Sequence, residues 1–181
     1  MPASQSTLQD TESFSNLFSQ TQIIIFRFIY GLHGGPIEEV EDLTCDTYLR
    51  AWKGRDKFSG NEYDALCWLF TIARNLVIDT HRRKKTHHED DTVQLDDTLL
   101  DKMLSSTYHT PEDQAERKAQ FRNLWRVLHQ LPHDKREMLV LRYILGWQVK
   151  QIANYLRMEE NTVSVYIHRS LEQIRRDWSD A

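Results

Sequence analysis

The sequence predicts an all-α protein made of two small helical domains joined by an acidic linker, and three observations carry this expectation. Apolar residues recur at three- and four-residue steps along most of the chain, and strand-like alternation is scarce. Only 6 Gly and 4 Pro punctuate 181 residues, few for a fold of many strands and turns. The periodicity fades between Thr86 and His109, where Glu89, Asp90, Asp91, Asp96, Asp97 and Asp101 accumulate in the manner of a tether. Domain limits of 1–86, 87–109 and 110–181 follow, and 40% hydrophobic composition suffices for one or two modest cores.

The first helix is marked by Phe14, Leu17, Phe18, Thr21, Ile25 and Phe28, with Gly31 and the Gly34-Gly35-Pro36 cluster expected to stop it. The second, IEEVEDLTCDTYLRAWK, places Ile37, Val40, Leu43, Thr47 and Ala51 on one side and carboxylates largely on the others. After a loop containing Phe58, Ser59, Gly60 and Asn61, a long helix carries Ala65, Trp68, Leu69, Ile72, Ala73 and Leu76. It runs into the basic terminus His81-Arg82-Arg83-Lys84-Lys85. Beyond the acidic stretch, Thr110 as N-cap, Pro111 at the first helical position and Asp113 start a helix. Phe121, Leu124, Trp125 and Leu128 give it a core stripe. Leu131-Pro132 breaks it and begins another helix, which Gly146 closes.

The last segment describes two short helices across a tight turn. Val149, Ile152, Ala153 and Leu156 share one face of the first; Val163, Ile167, Leu171, Ile174 and Trp178 mark a buried stripe on the second. The outward face then keeps Thr162, Ser164, Val165, His168 and Arg169, a set suited to base edges and phosphates, and the outline is that of a helix-turn-helix. The same apolar spacing also serves a plain helical hairpin in a bundle, and periodicity does not choose between them.

Composition narrows the function classes. Lys and Arg number 23 against 27 Asp and Glu, a formal charge of −4, so the chain lacks the field of an autonomous, tight DNA binder. Cys45 and Cys67 lie in separate helices without CxxC spacing, as expected of reduced thiols in a cytoplasmic protein. The start has no basic-then-apolar leader, and Arg27 interrupts the apolar run Ile23 to Phe26, so neither a secretion signal nor membrane insertion is expected. His87, His88, Glu89, Asp90 and Asp91 lack the helical spacing that converges metal ligands. No nucleophile elbow, P-loop or Cys/His pairing is present, so neither metal nor cofactor nor enzymatic activity is expected.

An acidic helix, then WLFTIARNLVIDTHRRKK, then a linker and a helix-turn-helix form a specific combination. In it the chain resembles the extracytoplasmic-function (ECF) class of the sigma-70 family of RNA polymerase sigma factors, over roughly Phe14 to Lys85 and Thr110 to Trp178. The resemblance implies a region 2 that docks on core RNA polymerase through Asp42, Leu43, Asp46, Tyr48, Leu49, Arg50 and Trp52. It implies a pocket for a base flipped from the minus-ten element, built from Phe58, Ser59, Gly60, Asn61, Tyr63 and Asn75, with Arg74, His81, Arg82 and Arg83 on the strand backbone. Region 4 would read the minus-thirty-five element through Thr162, Ser164, Val165, His168 and Arg169. The acidic linker would thread the polymerase cleft, and an anti-sigma factor is an implied partner.

The sequence departs from the family pattern at Cys45, where Gln is usual, and at Arg157, where the turn usually has Gly. Ser164 and Tyr166 replace residues that are often basic, and Glu159 and Glu160 place two acids at the helix start. Arg at a turn position that favours positive φ is expected to cost ~1 kcal/mol. Weak binding by region 4 alone and an unusual promoter sequence follow from these departures. The alternative functions are a stand-alone helix-turn-helix regulator and a polymerase-binding adaptor that does not read DNA.

Overall fold

A computed structural model describes Leu8, residues 10–87 and residues 111–179, and no strand occurs among them. The linker stretch, Thr110 and the side chains from His87 to Asp91 lie outside the described residues. Two compact units form, one from described residues within 1–33 and 38–91, the other from those within 34–37 and 92–181.

The first unit holds α1 (Thr11–His33), α2 (Ile37–Gly54), a 3-10 turn (Arg55–Lys57) and α3 (Glu62–His87). Asp10 caps α1: its carboxylate accepts the Ser13 N–H and hydroxyl at 2.7 Å each, which holds its pKa below the ordinary value. Gly31 does not stop the helix as expected, because the chain stays helical to His33 and turns only at Gly34, whose φ is 68°. α1 packs on α3 through Ile25, Phe28 and Ile29 against Leu69 and Phe70, all with no exposed surface. The Phe28 and Phe70 rings lie 4.5 Å apart. Burying each such side chain contributes about 1.5–3 kcal/mol. α2 turns Val40, Leu43, Thr47, Tyr48 and Ala51 inward. It meets α1 where the Tyr48 and Thr21 hydroxyls share a buried 2.8 Å hydrogen bond.

The second unit holds α4 (Pro111–Gln130), α5 (His133–Leu139), a π turn (Val140–Ile144), α6 (Val149–Leu156) and α7 (Glu160–Ser179). The α4 core begins at Trp125 and runs through Val127, Leu128 and then Leu131. Leu124, expected in that stripe, is 39% exposed because the buried part of the helix starts one residue later. The π turn bonds the Leu145 N–H to the Val140 carbonyl, and Gly146 at φ 72° redirects the chain. Arg142 donates to the Trp147 carbonyl at 2.8 Å, and the Gln148 N–H bonds the Gln151 side chain at 2.8 Å to start α6.

Along α7 the buried line is Val163, Ile167 and Ser170, with Ile174 half-buried. Leu171 and Trp178, expected to be buried, are 38% and 36% exposed. At ~100° per residue Leu171 stands about 80° round from Val163, and small Ser170, bonded to the Tyr166 carbonyl, takes the inward place.

A candidate nucleic-acid and polymerase interface

On α2 the exposed side carries Asp42, Cys45, Asp46, Leu49 and Arg50, with Leu49 55% exposed beside two carboxylates. Leu43 and Tyr48, expected on this docking face, belong to the other: Leu43 is 7% and Tyr48 5% exposed. A helix stripe one residue wider than the simple period takes Tyr48 in, and desolvation pushes its phenol up to about 12 despite the Thr21 hydrogen bond. The Trp52 ring is half-buried, edge-on to Phe14 at 5.1 Å and covered by the Arg55 guanidinium at 3.6 Å from its centroid. Trp52 therefore frames the surface, and Leu43 and Tyr48 support it from within.

The loop into α3 is held by a reciprocal cap. The Asn61 side chain accepts the Asp64 N–H at 3.0 Å, and the Asp64 carboxylate accepts the Asn61 N–H at 2.9 Å. That engages the side-chain oxygen of Asn61 in ending the loop and starting the helix. Gly60 leaves room for this cap: a Cβ there would meet the Asp64 Cβ at 2.7 Å and the Phe58 ring at 3.1 Å. Phe58 stacks on Trp68 at 5.1 Å with the ring planes 24° apart, which makes a two-ring platform of the loop and the helix.

From Trp68 the helical period carries one outward stripe through Thr71, Asn75, Asp79 and Arg82, and Asn75, Asp79, Arg82 and Arg83 are exposed. Arg74 and His81 are half-buried on the flank, and Ser59 is exposed in the loop. Tyr63 is 36% exposed; desolvation first, then the neighbouring Cys67 thiol, push its phenol up to about 12. Burial pushes the Cys67 thiol up as well, which favours its protonated form. The spacing of Trp68 with Leu69 and Ile72 reads as core first; its half-buried stack with Phe58 also puts it at the edge of the platform.

In the second unit α6 ends at Arg157, which adopts φ 55° and ψ 47° and is the one positive-φ residue other than glycine among those described. The Met158 N–H closes on the Ala153 carbonyl at 2.9 Å, so the turn has kept the left-handed shape despite losing glycine. Glu137, fully buried on α5, accepts the Tyr155 hydroxyl of α6 at 3.3 Å and fixes the two helices across the turn. His133, Asp134 and Glu137 bring candidate metal donors within 4.8 Å, the one such group among the described residues.

On α7 the residues Thr162, Ser164, Val165, His168 and Arg169 are all exposed, with Val165 at 45%. Asn161, Glu172 and Arg176, not singled out from the sequence, share that face at helical spacing. His168 Nδ1 lies 3.7 Å from the Glu172 carboxylate, an i,i+4 ion-pair position that the sequence spacing alone could have flagged.

Among the described residues no helix is long and apolar enough to cross a membrane. The family profile "Sigma-70 region 2" matches residues 17–87, and "Sigma-70, region 4" matches residues 121–174. The chain is 27% identical over 167 residues to the ECF RNA polymerase sigma factor BldN of Streptomyces coelicolor, covering 92% of this chain and 61% of BldN. It is 27% identical over 165 residues to the ECF sigma factor SigX of Bacillus subtilis, covering 91% and 83%. Among solved structures the fold is similar to the sigma factor RpoE of Bartonella quintana in complex with the anti-sigma factor NepR, with TM-score 0.63, 21% identity, and 93% and 98% of the two chains covered. CnrH, solved with the cytosolic domain of CnrY, gives TM-score 0.62 at 20% identity, covering 92% and 88%. With both regions matched in order, the chain belongs to the ECF class of the sigma-70 family of RNA polymerase sigma factors.

Proposed function

We propose that this sigma factor holds promoters at two points once it has joined core RNA polymerase, and that its DNA affinity depends on that assembly. The carrying observation is the presentation on one chain of three separate exposed surfaces. They are the Asp42, Asp46, Leu49 and Arg50 face of α2, the Phe58–Trp68 platform with the Asn75 to Arg82 stripe of α3, and the Thr162 to Arg169 face of α7. Carboxylates around an exposed leucine suit a basic, partly apolar groove on the polymerase.

Opening a duplex costs a few kcal/mol per unstacked step, and capture of a flipped base offsets it. The platform offers a stacking surface, Asn75 and Tyr63 offer polar atoms for a base edge, and Arg74, His81, Arg82 and Arg83 hold the strand backbone. On α7 the residues Thr162, Ser164, Val165, His168 and Arg169 enter the major groove of the minus-thirty-five element. Glu159 and Glu160 at its start repel phosphate, which weakens this domain alone. The protein works in the cytoplasm, without a cofactor, a metal or enzymatic activity of its own. The acidic stretch 87–109, of which residues 88–109 lie outside the described residues, threads the polymerase cleft. RpoE and CnrH were each solved with a bound partner, and an anti-sigma factor that covers one of these surfaces is the corresponding partner here.

The test is to add the purified chain to core polymerase and measure transcription from a promoter library. A holoenzyme with a narrow promoter preference is expected, and failure to form one refutes the reading. Asn75→Ala should slow promoter opening and leave core affinity unchanged, whereas His168→Ala should change the base preference at the upstream element. Sequence-specific binding of the free chain would favour a stand-alone regulator, and a holoenzyme without selectivity would favour an adaptor.

A further inference from the structure

The basic end of α3 reaches well past the packed core. Val77 is its last fully buried residue, and the following ten carry the helix out to His87 with Arg82, Arg83, Lys85 and Thr86 exposed. A helix end with so little burial frays unless something holds it. Glu39, in the first turn of α2, reaches it across 45 residues of sequence: its Oε2 accepts a hydrogen bond from Lys84 Nζ at 2.6 Å. The same oxygen lies 3.2 Å from Nε2 of His33, an imidazole with 1% of its side chain exposed in the last turn of α1. The His33 ring in turn lies 5.2 Å from that of His81.

One carboxylate thus meets the ends of all three helices of the first unit. The signs agree with the helix dipoles, since the acid sits at the start of α2 and the cation near the end of α3. Lys84 is 20% exposed and Glu39 39%, so solvent screens the pair only in part. The direction of the grip matters as well. Lys84 is two residues beyond Arg82, about 200° round the helix. Pulling Lys84 toward α2 therefore turns Arg82 and the Asn75 stripe away from the core.

We infer that Glu39 is a positioning residue for promoter opening: by holding Lys84 beside the end of α1 it fixes the height and rotation of the α3 end that presents Arg82 and Arg83 to the DNA strand. The inference rests on the proposed role of that helix end in holding promoter DNA. It separates Glu39 from the neighbouring α2 acids assigned to polymerase docking, because Glu39 is turned to α3 and they are turned outward.

The test uses the reconstituted holoenzyme on one promoter, with permanganate reactivity of unpaired thymines as the measure of opening and amide exchange over residues 80–87 as the measure of the grip. Glu39→Gln should raise exchange in that segment and slow opening several-fold, with core affinity as in the wild type. Glu39→Lys combined with Lys84→Glu should partly restore both readouts, incompletely because the swapped charges oppose the dipoles. Unchanged exchange in Glu39→Gln overturns the grip, and loss of core affinity in step with opening makes Glu39 a docking residue instead. Raised exchange in Glu39→Gln, with opening unaffected in an Arg82→Ala, Arg83→Ala double variant, keeps the grip and removes the DNA role of the helix end.

Discussion

Replacing Arg157 with glycine should make the second unit more stable. The residue sits at φ 55° and ψ 47°, near the centre of the left-handed region, where a Cβ crowds the following carbonyl at a cost of about 1–2 kcal/mol. Arg157 is exposed, so truncation gives up little buried surface. A new glycine returns about 0.5–1 kcal/mol of that through the greater freedom of the unfolded chain. The net gain is about 0.5–1 kcal/mol, which for a domain of this size raises the melting temperature by roughly 2–8 °C. The same gain slows exchange of the Ile152 and Ala153 amides, in the helix that Arg157 ends, by about two- to fivefold where opening is limited by that unit. Hydrogen exchange on the whole chain reads this directly. Arg157→Ala, which keeps the Cβ, should leave exchange as it is. Faster exchange in the glycine variant, or equal slowing in both, would refute the strain argument.

Tyr155→Phe should destabilise the same unit by about 1–2 kcal/mol, seen as a lower urea midpoint, because buried Glu137 loses a hydroxyl donor. Gly60→Ala should weaken both the α3 cap and the Phe58–Trp68 stack, since its Cβ would stand 2.7 Å from that of Asp64; a wild-type melting curve with unchanged tryptophan emission would contradict this. For Tyr48 the folded state favours the neutral phenol, with the pKa raised from 10.0 to about 12. Its contribution to stability is complete below pH 10 and lost as the pH rises toward 12. Absorbance at the phenolate band should show Tyr48→Phe lacking one late-titrating group, and the variant should be less sensitive to alkaline unfolding.

The helical class and the helix starts were legible because they depend on local chemistry: Pro111 in a first turn, Gly34 and Gly146 at turns, apolar steps of three and four. Arg157 in a left-handed turn was legible too, through the resemblance, because the family usually has Gly at that turn position. The periodicity failed at Leu124, one residue ahead of the buried part of α4, at Leu171, where small Ser170 takes the inward place, and at Trp178 near the end of α7. Tyr48 went the other way, into the core, because a hydroxyl partner on α1 gives a phenol a buried place that hydrophobic spacing does not anticipate. The exposure of Thr162, Ser164, Val165, His168 and Arg169 on α7 could be read from the sequence, being a property of a local helical surface. The reciprocal Asn61–Asp64 cap was masked by the expectation that a loop asparagine meets a base. The Glu39–Lys84 pair was invisible for a simpler reason: contacts 45 residues apart leave no local pattern.

The exposed Leu49 is held on a helix whose inner side is already locked by Tyr48 and Thr21. A partner that meets this surface finds its leucine and carboxylates set at fixed spacing, so little ordering entropy is charged at the moment of contact. If docking uses this surface as proposed, encounter is a collision of preformed bodies, with a rate governed by charge steering and slowed by salt, and without a refolding step between touching and holding.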